Sequence, residues 1–244
     1  MPDFDPSPLP FGDRCTLDAI ASIDDPATYA VLQSTILQLW DAIENLTRIC
    51  PPKHERYCVT LFGSARLQPT DPLYAGVQDL ASELTLLGCD IVTGGGPGLM
   101  QAANEGSILA DPADQTRSVG IRIDLGFEQE VNPFVEQVYH HRTFFSRLHH
   151  FVLLSDAFVV FPGGIGTTLE MMLIWQLLQV RKLPNRPFIL VGEMWTDLVQ
   201  WSKQHMLEVE SPMVSAIDLT IPNCVGTCEE AVVLLKDAHS KWLS

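Results

Sequence analysis

Basic residues are scarce in this chain: 15 lysines and arginines stand against 30 aspartates and glutamates, a formal net charge of −15 over 244 residues. Repulsion of that sign excludes general attraction to a phosphate backbone, so no nucleic acid polymer is expected as a partner and any phosphate must be caught locally. Long apolar runs are missing too. None approaches the roughly 18 residues that span a bilayer, and the opening MPDFDPSPLPFGD has neither the basic nor the apolar region of a secretory leader, so a cytoplasmic protein with no membrane partner is expected. Cys15, Cys50, Cys58, Cys89, Cys224 and Cys228 form no CxxC pair, which speaks against zinc and against a disulfide framework. Neither the G-x-G-x-x-G dinucleotide fingerprint nor the P-loop pattern occurs, so no dinucleotide, ATP or other cofactor is expected.

What is present is an ordinary globular composition, 46% apolar and 18% charged. Residues 1–26, rich in proline and acid, read as a poorly ordered arm. From about 27 to 49 the apolar positions Leu32, Ile36, Leu39, Trp40, Ile43 and Leu46 recur with the period of an amphipathic helix, which Pro51 and Pro52 stop. Beyond it short apolar strands are expected at 57–63, 89–96, 118–123, 137–141, 157–161, 188–192 and 218–222. Helices fit between most of them, at 73–87, 98–109, 143–154, 167–181 and 194–208, with a last one at 227–241. Continuous apolar strands alternating with helices predict an α/β fold, a doubly wound Rossmann-like parallel sheet with helices on both faces, in a single domain over 27–244.

Three strand ends are rich in glycine: Gly63-Ser64, Gly94-Gly95-Gly96-Pro97-Gly98, and Gly163-Gly164-Ile165-Gly166-Thr167. Any one of them could be no more than a tight turn. Their shared place at the ends of strands points instead to close approach of a ligand to backbone, and a helix opening at Gly166 or Thr167 would aim free N–H groups and its positive dipole end at an anion such as one phosphate. Glu170 follows Thr167 by three residues and is expected in the first turn of that helix, ionised by the dipole, as a base or an electrostatic partner for developing positive charge. The plainer alternative is a capping box with Thr167. The pairs His140-His141 and His149-His150 lack acidic companions at a metal-binding spacing and read as polar surface or interface groups. Met171, Met172 and Trp175 read as core or subunit interface.

The run Phe161 to Glu170, FPGGIGTTLE, resembles the PGGxGTxxE signature of the LONELY GUY (LOG) family, whose members are often labelled lysine decarboxylases. Gly94 to Met100 resembles that family's second glycine motif and Phe62 to Arg66 its first strand end, so the likeness covers about residues 57–240. The resemblance implies hydrolysis of the N-glycosidic bond of nucleoside 5′-monophosphates of the AMP or cytokinin ribotide type, giving free base and ribose 5-phosphate. It also implies a homodimer or higher homo-oligomer. Arg147, fifteen residues before Pro162, takes the position of the family's catalytic arginine, with Glu170 as the second catalytic group. Gly63, Ser64, Gly94, Gly95, Gly96, Gly98, Met100, Gly163, Gly164, Gly166 and Thr167 would hold substrate and phosphate. Two positions depart from the pattern: Leu148 stands where the family has lysine, and Leu169 where it often has an acid. A non-catalytic carrier of a nucleotide or of molybdenum cofactor, known among related proteins of the fold, is the alternative.

Overall fold

A computed structural model describes residues 55–124, 131–183 and 186–244, which belong to one compact unit. The expected arm over 1–26 and helix over about 27–49 lie outside the described residues, as do Cys15 and Cys50.

Seven parallel strands form one sheet in the order β4-β3-β2-β1-β5-β6-β7. They are β1 (Cys58–Phe62), β2 (Asp90–Thr93), β3 (Ser118–Ile123), β4 (Gln137–His141), β5 (Ala157–Val160), β6 (Phe188–Val191) and β7 (Asn223–Val225). Among the described residues six α-helices connect or follow them: α1 (Pro72–Leu86), α2 (Leu99–Ala110), α3 (Phe144–Leu154), α4 (Ile165–Gln179), α5 (Glu193–Ser202) and α6 (Cys228–Leu243). The central strands are buried along their whole length because helices cover both faces, which is why they read as unbroken apolar runs rather than as alternation. Within β1 the pleat still divides the labour. Val59 and Leu61 join the layer with Leu80, Leu84, Leu99 and Leu235, while Cys58 and Phe62 face the layer with Phe151, Phe158, Met171 and Trp195.

The chain leaves β1 towards β2, β3 and β4, then returns to place β5 on the other side of β1. The strand order reverses there, and a crevice opens outside the carboxyl ends of strands at such a switch point. The loops after β1, β2 and β5 are the three glycine-rich segments.

One expected strand is absent. Residues 218–222 do not pair; Ala216–Thr220 form a 3₁₀ turn and the edge strand comes later, at Asn223–Val225. Asp218 folds back on Ser215, its carboxylate accepting from the Ser215 N–H (2.9 Å) and its own N–H donating to the Ser215 carbonyl (3.0 Å), so local side-chain bonding outcompetes the ladder. Among the described residues no helix is long and apolar enough to cross a membrane.

Helices α1 and α2 touch through Gly106, where an added Cβ would collide with the Gln78 carbonyl. Alanine there would recover about 1 kcal/mol of helix propensity, yet overpacking against unyielding backbone typically costs about 1–3 kcal/mol. We therefore expect Gly106→Ala to lower the urea midpoint without changing the slope of the transition.

Candidate active site

The three glycine loops are stitched to each other by backbone. The Ser64 N–H donates to the Pro162 carbonyl (3.1 Å), and the Leu99 N–H donates to the Ser64 carbonyl (2.9 Å). That second bond needs Gly98 in the left-handed region (φ +70°), with Ser64 and Ala65 packed where a Cβ would lie. Above these loops lies a cleft of about 980 Å³.

Two of the residues lining it, Arg147 and Glu170, form its centre. Thr143 caps α3 by accepting from the Ser146 N–H, which sets the helix so that Arg147 turns inward. Arg147 is held at three points. Its Nε donates to the Ile121 carbonyl (2.8 Å), its guanidinium lies 5.0 Å over the Phe151 ring, and its Nη1 donates to Glu170 Oε1 (2.8 Å). Gly94 makes room for this arrangement, since a Cβ there would lie 2.5 Å from Arg147 Nη2 and 2.7 Å from Met100 Sδ. Arg142, the neighbouring arginine, is exposed and does not line the cleft.

Helix α4 begins two residues earlier than expected, at Ile165, with Gly164 as its cap. Glu170 is therefore in the second turn, not the first, and Thr167 rather than Glu170 holds the third helical position, so the capping-box reading falls. Both residues are buried on one face. The expected ionising influence of the helix end is also outweighed. Burial pushes the Glu170 carboxyl above its ordinary range, and the adjacent Arg147 charge and hydrogen bond pull it back in part.

The first amide of α4 to bond within the helix is Thr168 N–H, to the Gly164 carbonyl (2.9 Å), so the amides of Ile165, Gly166 and Thr167 face the helix opening. Gly63, Ser64, Gly94, Gly96, Met100, Gly164, Gly166 and Thr167 line the cleft with them. Gly95, Gly98 and Gly163 do not. The Gly95 N–H is spent on Thr93 Oγ1 (2.9 Å) and its carbonyl on the Asn132 N–H (3.1 Å). Gly98 is taken up by the stitch to Ser64, and Gly163 lies against Thr167 where a Cβ would clash.

Against known proteins, the family model described as "possible lysine decarboxylase" matches residues 100–235, more than half of the chain. The chain belongs to this family. A pyrimidine/purine nucleotide 5′-monophosphate nucleosidase of Escherichia coli is 27% identical over 140 residues, 55% of this chain. The match spans 30% of that relative's length. A molybdenum cofactor carrier protein of Chlamydomonas reinhardtii has a similar fold, with a TM-score of 0.57 at 16% identity over 76% of this chain and 99% of that one. So does a molybdenum cofactor binding protein of Rippkaea orientalis, with a TM-score of 0.55 at 20% identity over 76% of this chain and 98% of the other. At these identities the likeness shows the fold alone.

In this member of the lysine decarboxylase-like family the two departures from the LOG pattern differ in setting. Leu148 is buried and away from the cleft, whereas Leu169 is exposed on α4. Among the described residues no group of three or more histidine, cysteine or acidic side chains stands together as a metal site. The histidines pair otherwise: His141 Nε2 meets His150 Nδ1 at 2.9 Å, and His140 lines the cleft.

Sequence reasoning missed the polar girder beneath the second loop. Asn104 on α2 accepts from Thr93 Oγ1 (2.7 Å) and from Asn132 Nδ2 (3.0 Å), and its own Nδ2 donates to Ser118 Oγ (2.8 Å). Asn132 Nδ2 also donates to the Gly96 carbonyl (3.0 Å). Asparagine inside the apolar pattern of a helix was the available signal, because a buried amide must find partners. Replacing Asn132 by leucine strands the Gly96 carbonyl and one Asn104 lone pair, at about 1–3 kcal/mol for each buried group left unpaired. We expect Asn132→Leu to lose stability in urea unfolding, and the Thr93→Val, Asn132→Leu double variant to lose less than the sum of the singles because both lean on Asn104.

Proposed function

We propose that this protein hydrolyses the N-glycosidic bond of nucleoside 5′-monophosphates, releasing the free base and ribose 5-phosphate, with AMP and cytokinin ribotides as the substrate types that the family resemblance suggests. The observation that carries the reading is the buried Arg147–Glu170 pair set beside a helix opening with three outward amides. The 5′-phosphate would sit on the amides of Ile165, Gly166 and Thr167, where the helix dipole favours an anion even in a chain of net negative charge. Ser64 and Gly63 would close that end. The reacting bond would then lie over Gly94, Arg147 and Glu170.

As the bond from C1′ to the base breaks, its electron pair leaves with the base and positive charge gathers on the ribose, which the Glu170 carboxylate offsets at short range. Water adds to C1′ and its proton passes to Glu170; the departing base takes up a proton from solvent and Glu170 returns its own to solvent, which restores the carboxylate and gives the neutral free base. Arg147 fixes the carboxylate by one oxygen and favours its charged form against the effect of burial, so the other oxygen is the one assigned to water. Anchoring the remote phosphate aligns the bond with that oxygen. Support for the reaction class comes from family membership and from the nucleosidase that matches part of the chain.

Helix α4 carries an exposed apolar stripe, Leu169 and Met172 in line with Ile165 at the cleft rim, and Phe145 on α3 is exposed as well. The spacing places the stripe on one face, and we propose that a second copy covers it in a homodimer. Light scattering at working concentration is expected to give twice the 27.1 kDa chain mass; a monomer would sink the assembly.

The hydrolase reading is tested by base release from AMP alongside calorimetric binding. Glu170→Gln should lower turnover by about a hundredfold or more while AMP still binds, and adenosine, lacking the phosphate, should bind far more weakly than AMP. The pH dependence has a definite sign. Glu170 acts as its anion and burial raises its pKa, so activity is lost as pH falls through a value above the ordinary carboxylate range. Arg147→Ala, which removes the influence that lowers it, should move that limb to still higher pH. If wild-type protein binds AMP but never releases adenine, a nucleotide or molybdenum-cofactor carrier is the better account.

A further inference from the structure

We infer that the far end of the same cleft reads the base through Phe144 and Asp124 and prefers guanine to adenine, a refinement that rests on the nucleotide reading above. The sheet supplies a ruler. The amides proposed for phosphate follow β5, and Asp124 follows β3, with β1 and β2 between them. Three strand spacings come to about 14 Å, which suits the span from the 5′-phosphate to the outer edge of an extended purine nucleotide. Arg147, tied to β3 by Ile121 and lying against Gly94 at the end of β2, falls between the two ends, where the glycosidic bond would lie.

Phe144 supplies the flat surface. It is one turn before Arg147 on α3 and lines the cleft, yet 49% of its surface remains exposed. A large ring left half-open beside an arginine suits the face of a base, as aromatic platforms do for bases in general. Asp124 supplies the edge. Its N–H donates to the His141 carbonyl (2.8 Å), which fixes its backbone, and its side chain, more than half exposed at the cleft rim, stands with Oδ1 3.6 Å from His140 Nδ1. A carboxylate in a cleft built for an anion needs a reason. At about 14 Å from the phosphate end it lies beyond a Debye length of about 8 Å, so it does not repel phosphate appreciably. It can still act on whatever touches it.

An ionised carboxylate only accepts hydrogen bonds. Guanine presents N1–H and the N2 amino group side by side, two donors for two oxygens. Adenine presents the N1 lone pair at the equivalent place, which the carboxylate repels, so Asp124 both selects and rejects. Hypoxanthine keeps N1–H and lacks the amino group.

The test compares kcat/KM for GMP, IMP and AMP in wild type, Asp124→Asn and Phe144→Ala, with calorimetric affinities for the same nucleotides in Glu170→Gln. We expect GMP above IMP above AMP, with GMP favoured over AMP by about tenfold or more, and the ratio in Asp124→Asn reduced to within about twofold because an amide both donates and accepts. Phe144→Ala should raise KM for all three by about tenfold while keeping their order. Wild type that treats AMP as well as GMP, or Asp124→Asn that keeps the wild-type ratio, overturns the inference. The binding arm separates it from the reading beneath it: GMP-selective binding by Glu170→Gln together with no base release by wild type would defeat hydrolysis and uphold base selection, and no binding of any monophosphate would defeat both.

Discussion

The buried contact between Arg147 and Glu170 is the constraint on which the rest of the site turns. Its two ends come from different helices, and each would be costly alone: burial would push a lone carboxylate there further towards its protonated form, and a lone guanidinium would lose its partner in a region of low dielectric. Joined, they tie α3 to α4 and bring the PGG loop next to the end of β3. Arg147 cannot shift without releasing the Ile121 carbonyl as well. The position of Glu170 against the cleft is thus set by sheet geometry through one arginine, and its protonation is set by the balance between burial and that same arginine.

Beside this pair the glycine loops contribute backbone rather than side chains to the wall. Glycine at 63 and 94 admits Leu99, Met100 and the guanidinium where side chains would collide. Such walls have little stiffness of their own. Stiffness comes from below, through Asn104 and Asn132, which gather Thr93, Ser118 and the loop carbonyls into one satisfied network. A buried polar network is costly when incomplete and specific when complete. It explains why the Gly94–Gly96 segment, with no side chains of its own, holds a defined shape beside Arg147.

The charge of the chain and the charge of the cleft pull in opposite directions. A net charge of −15 opposes anions at long range, yet salt screens that field within about 8 Å, while amides at a helix opening and a fixed arginine act at contact. A polyanion would meet the whole acidic surface, whereas a group small enough to enter the cleft would meet mainly the loop amides and the arginine.

Much of this was determined by sequence alone. Apolar runs bounded by glycine specified the parallel sheet, and the PGGxGTxxE pattern placed Glu170 and the family. Both signals are local: they depend on which side chains a stretch of backbone can carry. The strand expected over 218–222 failed because Ser215 and Asp218 bond to each other, a local competition that hydropathy does not register. From spacing alone Glu170 belongs to a first turn and to an easily ionised state. The true start of α4 and the burial from neighbouring elements changed both. Nor could sequence tell that Gly95 and Gly163 serve packing while Phe144, Asp124 and His140 face the cleft. Those assignments depend on which strands become neighbours, and β1, β2, β3 and β5 converge only through long-range pairing. Tertiary structure decided them because distance across a sheet, unlike period along a strand, has no record in the order of the residues.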